Sequence, residues 1–188
     1  MDASGGYILE TERLILREYA EDDVEAFYRL NSDPEVMRYT GDDMLSDIDH
    51  AREILLAHPI TDYRKHGFGR WACLLKSDGQ KIGFAGLKYL EERKEVDLGY
   101  RLLPAYWGQG FATEASGAVI RYGFDQLGLH RVIGLARPEN TASVRVLEKV
   151  GMRFVNMTQH RSWMMARYVI DCETEASEPA AGTLAGTW

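Results

Sequence analysis

The sequence predicts one α+β domain in which a mixed sheet carries helices on its faces. Three observations predict it. The chain has 188 residues, within the roughly 100–200 of a single domain. Segments of period-two alternation interleave with segments of helical spacing. The strand-like segments outnumber the helical ones, and helices packed on a mixed sheet are the economical way to bury both.

Each element has its own signal. Tyr7 to Arg17 alternates as one strand, with Leu14 and Leu16 on one face. Asp22 and Asp23 open a helix carrying Val24, Phe27 and Tyr28, and Asp33-Pro34 breaks it. Ser46-x-x-Asp49 reads as a capping box before Ile48, Ala51, Ile54 and Leu55, and His58-Pro59 weakens or ends that helix. Arg70–Lys76 and Lys81–Leu90 are strands around the turn Ser77-Asp78-Gly79-Gln80. Glu95–Leu103 alternates after a charged turn. Val96, Leu98, Tyr100 and Leu102 take one face; Asp97, Gly99 and Arg101 take the other. Pro104 ends it. Phe111–Leu127 is a helix closed by Gly128, and His130–Arg137 is a strand. Asn140 caps a helix to Val150 that Gly151 stops. Met152–Asn156 and Trp163–Ile170 form a last pair of strands.

Composition narrows the class. Hydrophobic residues make up 45% and charged residues 27%, as in an ordinary globular protein. No apolar run reaches the ~20 residues of a membrane span. The net charge of −7 argues against nucleic acid, whose binding rests on Lys and Arg. It fits plain solubility or a cationic partner. Cys73 and Cys172 lack metal or disulfide spacing, no metal site is expected, and the N-terminus does not read as a signal peptide. A reducing, cytoplasmic setting is expected. Glu173–Trp188 lacks periodicity and reads as a flexible tail, so the domain is placed at 7–172. That tail holds Glu173, Glu175 and Glu178 and no Lys or Arg, so part of the acidity lies outside the domain.

The chemistry concentrates where a strand runs through Leu102-Leu103-Pro104 into Gly108-Gln109-Gly110 and then into a helix. Glycines allow close backbone approach. The first helical amides have no internal partner and, with the helix dipole, favour an anion. No GK[ST] follows, and Thr113 stands where a third dinucleotide-fold glycine would be. By itself the pattern is either an anion loop or a tight strand–helix turn.

Four ordered segments decide between them. Thr11-Glu12-Arg13-Leu14-Ile15-Leu16-Arg17 is the first, and Asp33-Pro34-Glu35-Val36-Met37-Arg38-Tyr39 the second. The third is Asp97-Leu98-Gly99-Tyr100 with Pro104-Ala105-Tyr106-Trp107-Gly108-Gln109-Gly110-Phe111-Ala112-Thr113-Glu114-Ala115. The fourth runs from Asn140-Thr141-Ala142-Ser143 through Glu148-Lys149-Val150-Gly151-Met152. Together they resemble the GNAT acetyltransferases, and within them the branch similar to Rim-type ribosomal-protein alanine N-acetyltransferases.

The resemblance implies a mostly antiparallel, splayed sheet of about seven strands flanked by about four helices. It implies an acetyl-CoA-dependent N-acetyltransferase acting on a protein N-terminal or small-molecule primary amine, as a monomer or homodimer. Leu102 and Leu103 would bond the pantetheine arm. Gln109, Gly110, Phe111, Ala112 and Thr113 would offer amides to the pyrophosphate, and Asn140 would reach the pantetheine. Two departures stand out. Trp107 replaces the family's usual Gln or Arg. Leu147 stands where many relatives carry a tyrosine that protonates the leaving thiolate, and Ser143 is the branch's proposed substitute. Ser143 is therefore expected either as thiolate partner or as a plain cap. Asp97 is the base candidate, or else a salt-bridge partner for a neighbouring strand. Tyr39, Arg70, Trp71 and Tyr106 are expected to line the acceptor site, or to pack. Rival readings are a silent acyl-CoA-binding or sensing module, motivated by Leu147, and a transferase of a larger acyl group.

Overall fold

The computed structural model describes residues 6–172. The stretch 173–188, expected as a flexible tail, lies outside the described residues. The strands are β1 (Tyr7–Glu10), β2 (Leu14–Arg17), β3 (Arg70–Leu75), β4 (Lys81–Leu90), β5 (Glu95–Leu102), β6 (Arg131–Ala136), β7 (Arg153–His160) and β8 (Trp163–Asp171). The helices are α1 (Val24–Asn31), α2 (Pro34–Met37), α3 (Ile48–Leu55), α4 (Thr61–His66), α5 (Phe111–Asp125) and α6 (Thr141–Lys149). The eight strands form one sheet in the order β1-β2-β3-β4-β5-β6-β8-β7. All neighbours are antiparallel except β5 and β6, which run parallel because α5 connects them as a crossover. The mixed, mostly antiparallel sheet expected from sequence is therefore present, with one strand more.

The extra strand comes from Tyr7–Arg17, expected as a single strand. Thr11 folds it into a hairpin: its amide donates to the Leu14 carbonyl at 2.9 Å and its hydroxyl accepts from the Leu14 amide at 3.0 Å. A second difference lies at Pro59. The chain does not stop there but widens into a turn over Leu56–Ile60 and continues as α4. Pro59 lacks an amide, and the Thr61 hydroxyl donates to the Leu56 carbonyl at 2.8 Å. The cap of α3 is Asp47, which accepts from the His50 amide, rather than Ser46.

α5 crosses one face of the sheet, where Trp71 of β3 meets Tyr122 edge-on with ring centroids 5.4 Å apart. On the other face Arg101 of β5 reaches back to Asn31 of α1 and Met37 of α2. The second motif earns its form here: Asp33 caps α2 by accepting from the amides of Glu35 and Val36.

The end of the first motif ties β2 to α1. Arg17 donates two hydrogen bonds to Asp23, at 2.6 and 2.8 Å, and Lys81 approaches the same carboxylate at 2.5 Å. Asp23 is 1% exposed. Burial alone would raise its pKa, but the bonds from Arg17, Lys81 and the Ala20 amide outweigh it and hold the carboxyl below the usual range. Asp23→Ala strands two cations and should destabilise the fold by about 3–5 kcal/mol. The depressed pKa means that this stabilisation is present above the unfolded value of about 4 and lost as pH falls through the folded one. Thermal melts should show the wild type losing stability on acidification more steeply than the variant.

Candidate active site

The site grows from an opening in the sheet. β5 and β6 pair only at Asp97–Ile133 and Leu98–Gly134. Beyond that seam β5 stays paired to β4 through Leu102, and β6 stays paired to β8 through Ala136. Their facing edges have no partner in each other. Where β5 ends, the Leu103 amide donates to the Ile82 carbonyl, and the Trp107 indole donates to the Leu102 carbonyl at 2.7 Å. Trp107, the departure from the family pattern, thus clips the loop to the strand end.

The loop then makes two left-handed steps, at Gly108 (φ 73°) and Gly110 (φ 84°), which glycine takes without a Cβ penalty. No side chain caps α5. Among the described residues, the amides of Gln109 through Thr113 donate to no carbonyl or side chain. They form a cluster of unpaired donors at the positive end of a 15-residue helix. The Gln109 side chain turns away to donate to the Ala105 carbonyl.

The opening motif holds this loop. Thr11 donates to Glu114 at 2.5 Å, and Arg13 donates to it from its amide at 2.9 Å and from Nε at 2.6 Å. Arg13 also donates to the Gln109 carbonyl and lies 4.1 Å from the Phe111 ring centre. Tyr106 donates to Gln80 at 2.7 Å, tying the loop to the β3–β4 hairpin.

Across the opening, Asn140 caps α6: its side chain accepts from the Ser143 amide at 3.1 Å. The Tyr100 hydroxyl lies 2.9 Å from both the Ser143 hydroxyl and the Ser143 carbonyl. Burial raises the Tyr100 pKa above its usual value, with the Ser143 bond opposing, so this phenol stays protonated. Sequence reading assigned Tyr100 to an apolar row and missed it. The available cue was a hydroxyl in that row facing the very helix whose Leu147 lacks one. Leu147 is 1% exposed and packs over Gly134.

Asp97 lies at the seam itself and is 8% exposed. Its Oδ2 accepts from Arg70 Nη2 at 2.5 Å, while Oδ1 has no partner among the described residues. Burial pushes the Asp97 carboxyl above its usual pKa, and Arg70, with His160 behind it, opposes. His160, ending β7, is itself lowered by burial and by Arg161 and Arg93, with Asp97 opposing.

The expected acceptor residues separate. Arg70 faces Asp97. Trp71, its neighbour, takes the packing alternative: strand alternation sends it to the opposite face, where it is fully buried beneath α5. Tyr106 belongs to the glycine loop. Tyr39 is partly buried after α2 with Arg38 over its ring. A clasp that sequence reading missed lies on the face of the sheet that carries Arg101. Asp42 accepts from Arg101 at 2.8 Å and from Arg161 of the β7–β8 turn, joining the loop after α2 to that hairpin. Burial would raise the Asp42 pKa, but the two guanidiniums hold it down.

Known proteins resemble this chain in sequence and fold. The pattern of an acetyltransferase (GNAT) domain matches residues 13–153. The uncharacterized N-acetyltransferase YoaA of Bacillus subtilis is 35% identical over 147 residues, 78% of this chain and 82% of the relative. An acetyltransferase of the same family from Bacillus anthracis superposes with a TM-score of 0.71 at 28% identity, over 87% of this chain and 95% of that one. The spermidine N-acetyltransferase of Vibrio cholerae, solved with CoA and spermine, shares the fold with a TM-score of 0.70 at 19% identity, over 84% and 95%. A parallel seam that opens onto an uncapped glycine loop is thus built here from a sequence that matches this domain over most of its length, and the chain belongs to the GNAT family of acetyltransferases.

Proposed function

We propose that the chain moves an acetyl group from acetyl-CoA to a primary amine, a protein N-terminal amine or a small-molecule amine, by direct attack in a ternary complex. One observation carries the reading: the β5–β6 seam opens directly onto five amides that have no acceptor of their own. Those amides, Gln109 to Thr113, suit a pyrophosphate. The edge of β5 that β6 leaves unpaired suits an extended arm laid along it as an added strand running toward Leu102 and Leu103, with Asn140 alongside. Bound acetyl-CoA supplies an acetyl group activated as a thioester. Residues 7–172 form the transferase domain in this reading, and the four motifs support kinship with the ribosomal-protein alanine branch. Two free cysteines accord with a reducing cytoplasm.

The chain's own residues then handle protons. Asp97 Oδ1 accepts the amine's proton, directly or through one water, as the C–N bond forms. The Ser143 hydroxyl gives a proton to the sulfur as the C–S bond breaks, and Tyr100, bonded to it, keeps that hydroxyl oriented and is open to replenish it. Ser143→Ala should slow turnover about 100-fold and leave acetyl-CoA affinity near wild type by calorimetry. Full activity in that variant removes Ser143 from the mechanism.

The buried Leu147 favours a second reading, acyl-CoA binding without transfer. Thiol release measured with an amine panel separates them. Binding of acetyl-CoA with no turnover for any amine supports the silent module. Turnover only with longer acyl-CoA substrates supports the larger acyl group.

A further inference from the structure

We propose that Arg70 is a positioning residue for acetyl transfer: it crosses two strands through a trough of glycines, binds one oxygen of Asp97 and leaves the other oxygen buried and unpartnered beside the seam. The inference rests on Asp97 being the base.

The register makes the trough. Arg70 of β3, Gly86 of β4 and Gly99 of β5 lie side by side across the sheet. A Cβ at Gly99 would overlap the Arg70 guanidinium, and one at Gly86 would overlap the backbone of Gly69 and Arg70. Two neighbouring strands thus lack side chains along one line, and the Arg70 side chain lies in that line. Its start is fixed, because the Tyr63 hydroxyl donates to the Arg70 carbonyl. Its end is fixed three times: Nη1 donates to the Gly86 carbonyl at 2.6 Å and to the Asp97 carbonyl at 3.1 Å, and Nη2 to Asp97 Oδ2 at 2.5 Å.

A surface ion pair would need none of this. Arg70 and Asp97 side chains are 16% and 12% exposed, so each charge depends on the other. The spent oxygen is Oδ2; the unpartnered one is Oδ1, and Asp97 is one of the two rungs of the β5–β6 ladder, one residue before the strands part. A buried carboxylate pinned on one oxygen and left without a partner on the other keeps a proton-accepting site that the fold itself does not use. Besides Arg70, the groups near Asp97 are His160 from β7, the Leu135 amide from β6 and, on the other face of its own strand, Tyr100. Burial favours the protonated acid, and Arg70 opposes it, so the guanidinium shifts the balance toward the ionised base.

The test uses the full chain with Arg70→Met, Arg70→Lys, Gly99→Ala and Asp97→Asn. The readouts are kcat against pH with saturating substrates and the pH titration of the Asp97 carboxyl carbon by NMR. Removing the guanidinium should raise the Asp97 midpoint by about one unit or more and move the acid limb of kcat with it. Acetyl-CoA dissociation constants should stay within about twofold. Arg70→Lys should restore part of the shift. Gly99→Ala should displace the guanidinium without changing its chemistry and shift the limb the same way, which keeps the test alive should Arg70→Met fold poorly. An Asp97 midpoint unchanged in both Arg70→Met and Gly99→Ala overturns the proposal while Asp97→Asn remains inactive. Wild-type turnover in Asp97→Asn overturns the assignment of the base and the proposal with it.

Discussion

Gly110→Val should weaken acetyl-CoA binding about 100-fold or more. The expectation follows from two charge-assisted amide bonds at about 1.5–3 kcal/mol each. Gly110 stands at φ 84°, a region that a β-branched residue occupies only under strain. A Cβ there would also approach the Arg13 guanidinium at 3.4 Å. The chain would relieve both by turning the loop, and the amides of Phe111, Ala112 and Thr113 would no longer converge. Calorimetric titration of the folded variant with acetyl-CoA checks this. A dissociation constant equal to wild type removes the loop from cofactor binding. Glu114→Gln is the milder companion: it loosens the clamp of Thr11 and Arg13 without touching backbone conformation, so a smaller loss is expected.

Asp97→Asn should lower kcat by about 10²–10⁴-fold, the range for loss of a general base, with acetyl-CoA affinity unchanged. Asn keeps the shape and the Arg70 contact but takes no proton. Because burial raises the Asp97 pKa, wild-type activity should fall as pH drops through that value, and the variant's residual rate should lack this limb. Arg70 loses its countercharge as well, so the melting temperature should fall and assays belong below it. A wild-type rate with a wild-type pH profile would falsify the assignment.

The sequence was legible wherever a signal is local. Asn140 reads as a cap from its position before an apolar stripe, and it caps. Asp33-Pro34 reads as a break, and the same residues start the next helix. The glycine loop is written in consecutive residues. What stayed illegible depends on register between distant strands. Nothing near Arg70 in sequence names Gly86 or Gly99, so the trough exists only once three strands align. The same holds for Trp71: alternation separates it from Arg70, but which of the two faces α5 covers is settled by packing. Thr11 turned one expected strand into two because a side-chain hydroxyl competes with the ladder for backbone groups.

The seam between β5 and β6 has a mechanical consequence. Two paired positions are all that join strands β1–β5 to strands β6–β8 edge to edge, so this line is the joint of least resistance in an otherwise continuous sheet. A molecule laid along the bare strand edges supplies the missing rungs and staples the halves together. Ligand saturation should therefore slow amide exchange at Leu98 and Leu135, on both banks of the joint, more than at the hairpins remote from it. On the proposed function, the protein's sheet is finished by its substrate.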